Sequence, residues 1–343
     1  MTTQQDVQIG IKKETTYGTA AVVDTFFEFT EEDLAANLEF AQGQGMRYGK
    51  RVARADRRRL QAAKPGGSFT TEVVTKGIGK LVEAAFGVGT STAVPTQTGA
   101  YQQLFTLTAT DPLPSYTIQE GIPPLGGGAA QPQTFKGMVC SGFDLTLNNL
   151  GLVTIKWNWV GQDVDTSTVL ASASYATGVD IFTFVDAAIT VGGTVTVPTA
   201  TALATGGTQV ATIRDLNLTL DNGLDQNGYN IGAGGKRGRK PALGLRAIAG
   251  TLTAEYSDNT LRDAYMNQSD IALVLTLKRA DITIGTSANP AFQIVIPLIR
   301  LEGELPKANG GDVVTQSVGF TALDGGVAAS QAYVAIVTTE TAI

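Results

Sequence analysis

One strand-to-helix pattern is written twice in this chain, and the repetition limits the folds open to it. Residues 67–86 read GSFTTEVVTKGIGKLVEAAF. Phe69, Thr71 and Val73 alternate with Thr70 and Glu72, the period of a half-buried strand. Thr75 stands at a cap position, and Ile78, Leu81, Val82 and Ala85 then recur at helical spacing before Gly87. Residues 250–267, GTLTAEYSDNTLRDAYMN, repeat that order. Leu252, Ala254 and Tyr256 face away from Thr253 and Glu255, Asp258 takes the cap, and Leu261, Ala264 and Tyr265 follow.

The flanking segments repeat as well. NLEF at 37–40 has a counterpart in NLTL at 217–220, with Gly43 matching Gly223, and a long loop follows each, at 42–66 and 222–249. Residues 135–160 read as two strands around a turn at 148–151. The second strand sets Val153, Ile155, Trp157 and Trp159 against Thr154, Lys156 and Asn158. Shifted by 161 residues, Val314, Gln316, Val318 and Phe320 take the inner places, Asn309 matches Asn148 and Asp324 matches Asp163. The offset is 183 for the strand-to-helix unit, so the first half holds the longer loop between helix and final hairpin.

An internal duplication follows: a mainly β chain of two sandwich or barrel domains, each with a short flanking α-helix and a long loop. The expected boundaries are an N-terminal arm at 1–25, a first domain at 26–163, a linker at 164–209 with an inserted hairpin around 191–193, a second domain at 210–326 and a tail at 327–343. Within the first domain, residues 88–99 read as linker, and 104–109 and 116–120 as strands.

Composition agrees with this class and narrows the chemistry. The 343 residues are 43% hydrophobic, enough for a sizeable core, and 16% charged, against about 25% in ordinary soluble proteins. Forty glycines together with abundant Thr, Ala and Val favour strands and turns over helices. Histidine is absent, which removes imidazole bases, Ser/His triads and histidine metal ligands. The single cysteine, Cys140, excludes an internal disulfide and reads as a buried small apolar side chain. No apolar run reaches the ~20 residues of a membrane span, and the first residues lack a basic-then-apolar leader. Neither an enzyme, a cofactor nor a metal is expected.

A net charge of −6 argues against general affinity for nucleic acid, which depends on neutralising phosphates. Two loops depart from that balance. The first carries Arg47, Lys50, Arg51, Arg54, Arg57, Arg58 and Arg59 against Asp56; the second carries Lys236, Arg237, Arg239, Lys240 and Arg246. Tyr48 and Tyr229 are their only aromatics, too few for a platform that stacks bases, so protein contact is the expected use. GAGGKRGRK at 232–240 fails as a phosphate loop because Arg237 follows Lys236 where Ser or Thr is required. DNGLDQNG at 221–228 lacks calcium-loop spacing and reads as turn chemistry.

Several stretches together resemble the major tail tube proteins of long, non-contractile tailed bacteriophages, particularly those infecting Gram-positive hosts. They are IGIKKETTYGTA at 9–20, the basic loop from Gly45, VTKGIGKLVEAAFG at 74–87, AQPQTFKGMVC at 130–140, DNGLDQNGYNIG at 221–232 and GELPKANGGDVVTQSVGFTALDGG at 303–326. The resemblance implies a β-sandwich whose inner sheet joins its neighbours in a barrel around a DNA channel. Rings would stack through the long loops and terminal arms, with Arg47, Lys50, Arg51, Arg54, Arg57, Arg58, Arg59, Lys236, Arg237, Arg239 and Lys240 at the contacts. Six-fold rings are usual in such tubes. A duplicated chain would need three copies for a pseudo-hexamer, six full chains being the alternative. Glu72 and Glu255 become candidates for the lumen, where neutral or negative groups let DNA pass without specific binding. Implied partners are further copies of the chain, the tape measure and other tail proteins, in a virion tail assembled in the host cytoplasm. A β-rich adhesin or receptor-binding component is the rival reading.

Overall fold

The computed structural model describes residues 4–210, 212–303, 305–307 and 313–343. Asn309, matched above to Asn148, lies outside the described residues. The first strands are β1 (Gln8–Lys13), β2 (Thr25–Phe27), β3 (Glu31–Glu32), β4 (Leu38–Gln42), β5 (Arg58–Ala63) and β6 (Gly66–Glu72). Helix α1 (Gly79–Phe86) leads into β7 (Gly87–Ala93), β8 (Tyr101–Leu107), β9 (Tyr116–Ile122), β10 (Gln131–Leu147), β11 (Val153–Val160) and β12 (Asp163–Asp165). Three short strands follow, β13 (Ala187–Val191), β14 (Val195–Thr196) and β15 (Thr205–Gly206). The remainder comprises β16 (Ile213–Asp221), β17 (Ala247–Glu255), helix α2 (Thr260–Met266), β18 (Ile271–Lys278), β19 (Ala291–Gly303), β20 (Thr315–Ala322) and β21 (Tyr333–Thr338).

The pairings are antiparallel and fall into three connected sheets. The central one has the order β3-β6-β11-β10-β16-β17-β20-β19. One outer sheet runs β2-β1-β9-β10-β12 and the other β13-β18-β19-β21-β8-β7. Strands β10 and β19 each serve two sheets by changing partners part-way. In β10 the change coincides with a bulge between Cys140 and Gly142. In β19 it falls at Pro297, which has no N–H to give either ladder. The sequence of pairings never returns to its start among the described residues, so the barrel expected as one option is not closed by this chain.

Alternation decides which face is buried. In β11 Val153, Ile155, Trp157 and Trp159 are buried and the residues between them are not. Phe69 stacks between Phe27 and Trp159 at ring distances of 6.4 and 6.0 Å, and Phe143 packs on Trp157 at 5.6 Å. The Trp157 indole N–H donates 2.9 Å to Thr71 Oγ1, so a polar edge inside this core is satisfied. One apolar cluster includes Phe69, Phe143 and Trp157 together with Leu218, Leu252 and Phe320, so the two halves share a core. Helix α1 buries six of its eight residues and ends at Gly87 in the left-handed region, φ 92°. Helix α2 buries Leu261 alone.

Five local expectations need correction. Residues 88–99 contribute most of β7, which pairs along its length with β8. Residues 8–13, assigned above to an arm, form β1 between β2 and β9, with Ile9 and Ile11 wholly buried. Residues 333–338, assigned to the tail, form the buried strand β21 between β19 and β8. Thr75 does not cap α1; its hydroxyl accepts the Asp180 N–H at 3.1 Å and ties down the 164–180 segment. Asp258 does accept the Thr260 N–H, at 2.8 Å, one residue outside the N-cap Asn259. The hairpin expected around 191–193 is not formed there: β13 pairs with β18, and the two-stranded pair of this segment, β14 with β15, is connected through 197–204.

Candidate functional site

The wet face of the central sheet is its most extended surface feature. One register row crosses all eight strands: Glu31, Thr70, Lys156, Asp144, Thr219, Ala249, Thr321 and Arg300. The next wet row crosses seven: Glu72, Thr154, Thr146, Asn217, Thr251, Gly319 and Glu302. Glu255 lies on this same face of β17, two alternations beyond Thr251. Glu72 and Glu255 therefore share one surface, as candidates for a common role must.

Short neutral polar groups share that face equally with charged ones, and acids outnumber bases five to two. Asp144 accepts hydrogen bonds from Asn158 and Thr219 at 2.9 and 2.8 Å, and the Thr321 hydroxyl donates to Glu302 at 3.0 Å. Glu255 stands 3.7 Å from Arg214, and Arg300 is held by Asp270 at 2.7 Å. Of the cations named, Lys156 alone has no carboxylate within ion-pairing distance among the described residues. Such a surface offers a phosphate backbone few sites at which to bind.

The two basic loops, alike in sequence, are built differently. Strands β4 and β5 pair as a separate two-stranded ribbon that, among the described residues, no third strand joins. Phe40 and Leu60 face each other across it and are 46% and 52% exposed. Arg58 lies over the Phe40 ring at 4.7 Å, and Arg54 pairs with Asp56. Among the described residues, Arg47, Lys50, Arg51, Arg57, Arg58 and Arg59 have no carboxylate within ion-pairing distance.

The second loop engages its cations within the chain and buries one of them. Arg237 is 2% exposed; its guanidinium donates to the Asn227 carbonyl at 2.7 Å and lies 5.2 Å over the Tyr229 ring. Lys236 pairs with Asp163 at 2.7 Å and Arg239 with Asp225. Burial lowers the Lys240 ammonium below its usual range. Arg246 donates to Thr108 O at 2.7 Å and Asn222 Oδ1 at 2.9 Å. This loop braces the base of the ribbon: the Ala63 N–H donates to Gly235 O at 2.9 Å, and the Tyr229 hydroxyl to Ala63 O at 3.3 Å. Arg237 is thus an internal strut, in contrast to its expected place at an outer contact.

Several quoted motifs prove to be anchors of the fold. The Glu14 carboxylate accepts from the backbone of Gly18 and Gly137 at 2.9 and 2.8 Å and from Thr117 Oγ1 at 3.1 Å. Buried Asn222 donates to Ala85 O and Cys140 O, joining the end of α1 to the β10 bulge. In the same stretch Asp221 and Asp225 accept the N–H groups of Gly223 and Asn227, the turn chemistry expected there. Cys140 is buried, and burial pushes its thiol up to about 12.

One feature escaped the sequence. Glu120 is 1% exposed, with Oε1 unpartnered, and desolvation followed by its contact with Glu32 raises its carboxyl to about 8. Residues 116–120 read as a strand, but nothing local marks Glu32 as the neighbour of Glu120, 88 residues away.

An open sheet with one long wet face, beside a basic ribbon that no third strand joins among the described residues, has the design of an assembly subunit. Consistently, a family model described as phage tail tube protein matches residues 4–322, and the chain belongs to that family. It is a structural protein of the virion tail that assembles into a tube with other tail proteins. No curated protein matches the chain.

Proposed function

We propose that the chain polymerises as stacked rings and that the wet face of the central sheet lines the channel for DNA ejection. The observation that carries this is the eight-stranded order, in which β6-β11-β10 is echoed by β17-β20-β19. That echo supports two duplicated units, at 26–163 and 210–326, joined side by side through β10 and β16.

Strand spacing then favours three copies per ring. Three central sheets supply twenty-four strands, and at ~4.8 Å each these close a circumference of ~115 Å, a backbone diameter of ~37 Å. This admits a duplex with its side-chain margin. Six chains would double the diameter to ~73 Å, far more than a single duplex needs. Glu72 and Glu255 then face DNA and repel it weakly. The ribbon cations Arg47, Lys50, Arg51, Arg54, Arg57, Arg58 and Arg59 contact the next ring, with the Lys236–Lys240 loop supporting them.

Negative-stain microscopy and native mass spectrometry of purified protein test the reading. Hollow tubes built from rings of about 107 kDa, three times 35.7 kDa, are expected. Chains that stay monomeric at high concentration would overturn it.

A further inference from the structure

The ribbon and one acidic groove are each incomplete in the isolated chain, in complementary ways. Residues 38–63 hold seven Lys or Arg against two Asp or Glu, net +5 in a chain of net −6, which leaves −11 for the remainder. Half-exposed Phe40 and Leu60 add apolar surface to that charge. A two-stranded hairpin alone in water is marginally stable, so a partner that covers it also orders it.

The groove has a volume of about 860 Å³ and is lined by Glu28, Glu31 and Glu32 beside Phe27, Phe29 and Tyr175. None of these three carboxylates has a cation within ion-pairing distance among the described residues. Glu120 lies against Glu32, buried and with Oε1 unpartnered. Negative groups over an aromatic floor suit a ribbon that presents arginines around Phe40 and Leu60.

Topology keeps the two apart within one chain. The ribbon leaves at the Gly66 end of β6, where Ala35 bridges Gly66. The groove opens toward the other end, since Phe27 and Glu28 also line a neighbouring cavity with Thr71 and Glu72. Strands of five or six residues reach only ~17–20 Å from that end. A second copy stacked along the strand direction presents its groove to them.

We propose that the ribbon of one copy seats in the Glu28–Glu31–Glu32 groove of the copy in the next ring. This rests on the tube reading above and adds the acceptor surface to it.

The test uses two charge-reversed full-length chains, Arg57→Glu/Arg58→Glu/Arg59→Glu and Glu28→Lys/Glu32→Lys, the second sparing Glu31 because it stands in the wet row with Thr70. Circular dichroism and a melting temperature near wild type establish that each folds. Alone, each forms rings but pellets as tubes at least about tenfold less than wild type, because like charges now meet at the joint. Mixed, they recover tubes, since an acidic ribbon meets a basic groove and a basic ribbon an acidic one at alternate joints. Normal tube yield from the groove variant alone, or no recovery on mixing, overturns the inference while wild-type tubes leave the tube reading standing. Failure of wild type to form tubes sinks that reading instead. Salt-sensitive binding of duplex DNA that the ribbon reversal abolishes would make nucleic acid the occupant and likewise overturn it.

Discussion

Gly142 of β10 lies so close to Leu220 of β16 that a methyl group on its Cα would sit 2.0 Å from the Leu220 carbonyl oxygen. This contact lies in the ladder that joins the two halves of the central sheet, where Phe143 pairs opposite Leu220. Backbone cannot retreat there without opening both neighbouring ladders of β10. Gly142→Ala is therefore expected to cost about 1–3 kcal/mol through overpacking, read as a lower urea midpoint with the slope unchanged. A midpoint equal to wild type would show that the joint has slack.

The hydrogen bond from Trp157 to Thr71 makes a second test of the central sheet. Thr71→Val keeps the shape and leaves a buried indole N–H without a partner, a loss of about 1–3 kcal/mol. Thr71→Ser retains an acceptor and should recover part of that stability in the same denaturation assay. Equal losses in the two variants would assign the effect to packing.

Glu120 supplies a pH dependence with a definite sign. Its native carboxyl is raised from 4.5 to about 8, so between those values the unfolded chain releases a proton that the native chain keeps. The unfolded state binds fewer protons there, and stability falls as pH rises through this window. Glu120→Gln should flatten that fall: its melting temperature gains on wild type near pH 8 and matches it most closely near pH 4. Parallel curves for the two proteins would place the pH dependence elsewhere.

If the wet face lines the channel, Glu72→Lys/Glu255→Lys should leave folding and tube formation intact. Exposed Glu255 gives up only its 3.7 Å contact with Arg214, and such surface pairs contribute little. The variant tubes should retain duplex DNA in co-sedimentation at low ionic strength and release it as salt is raised, whereas wild-type tubes retain none. Tubes of the variant that remain free of DNA would remove this face from the channel.

Much of the central sheet was legible because its alternation is strict. Val153 to Trp159 and Leu252 to Ala254 need only a period of two to assign their faces. Glu72 and Glu255 could be placed on outward sides for the same reason. Segments whose pattern was less regular were misread. VGTSTA at 88–93 reads as a polar linker, yet it forms β7 because β8 offers a complete ladder beside it. IGIKK reads as part of an arm because the stretch around it is polar and Gly/Thr-rich, yet it pairs with a strand on either side and Ile9 and Ile11 are buried. The two basic loops could not be told apart, because Lys and Arg look alike in sequence whether they meet a carbonyl, a carboxylate or water.

By itself the sequence determined the local grammar of this protein: strand faces, two short helices, the Asp221 and Asp225 turns, and a chemistry without imidazole. Those properties depend on residue spacing and side-chain type, which are fixed along the chain. Tertiary structure decided that β10 joins β16, that Arg237 is an internal strut while Arg57 to Arg59 have no carboxylate partner among the described residues, and that Glu32 meets Glu120. Each of these depends on which distant segments share a ladder or a cavity, and desolvation and pairing act across those distances rather than along the chain.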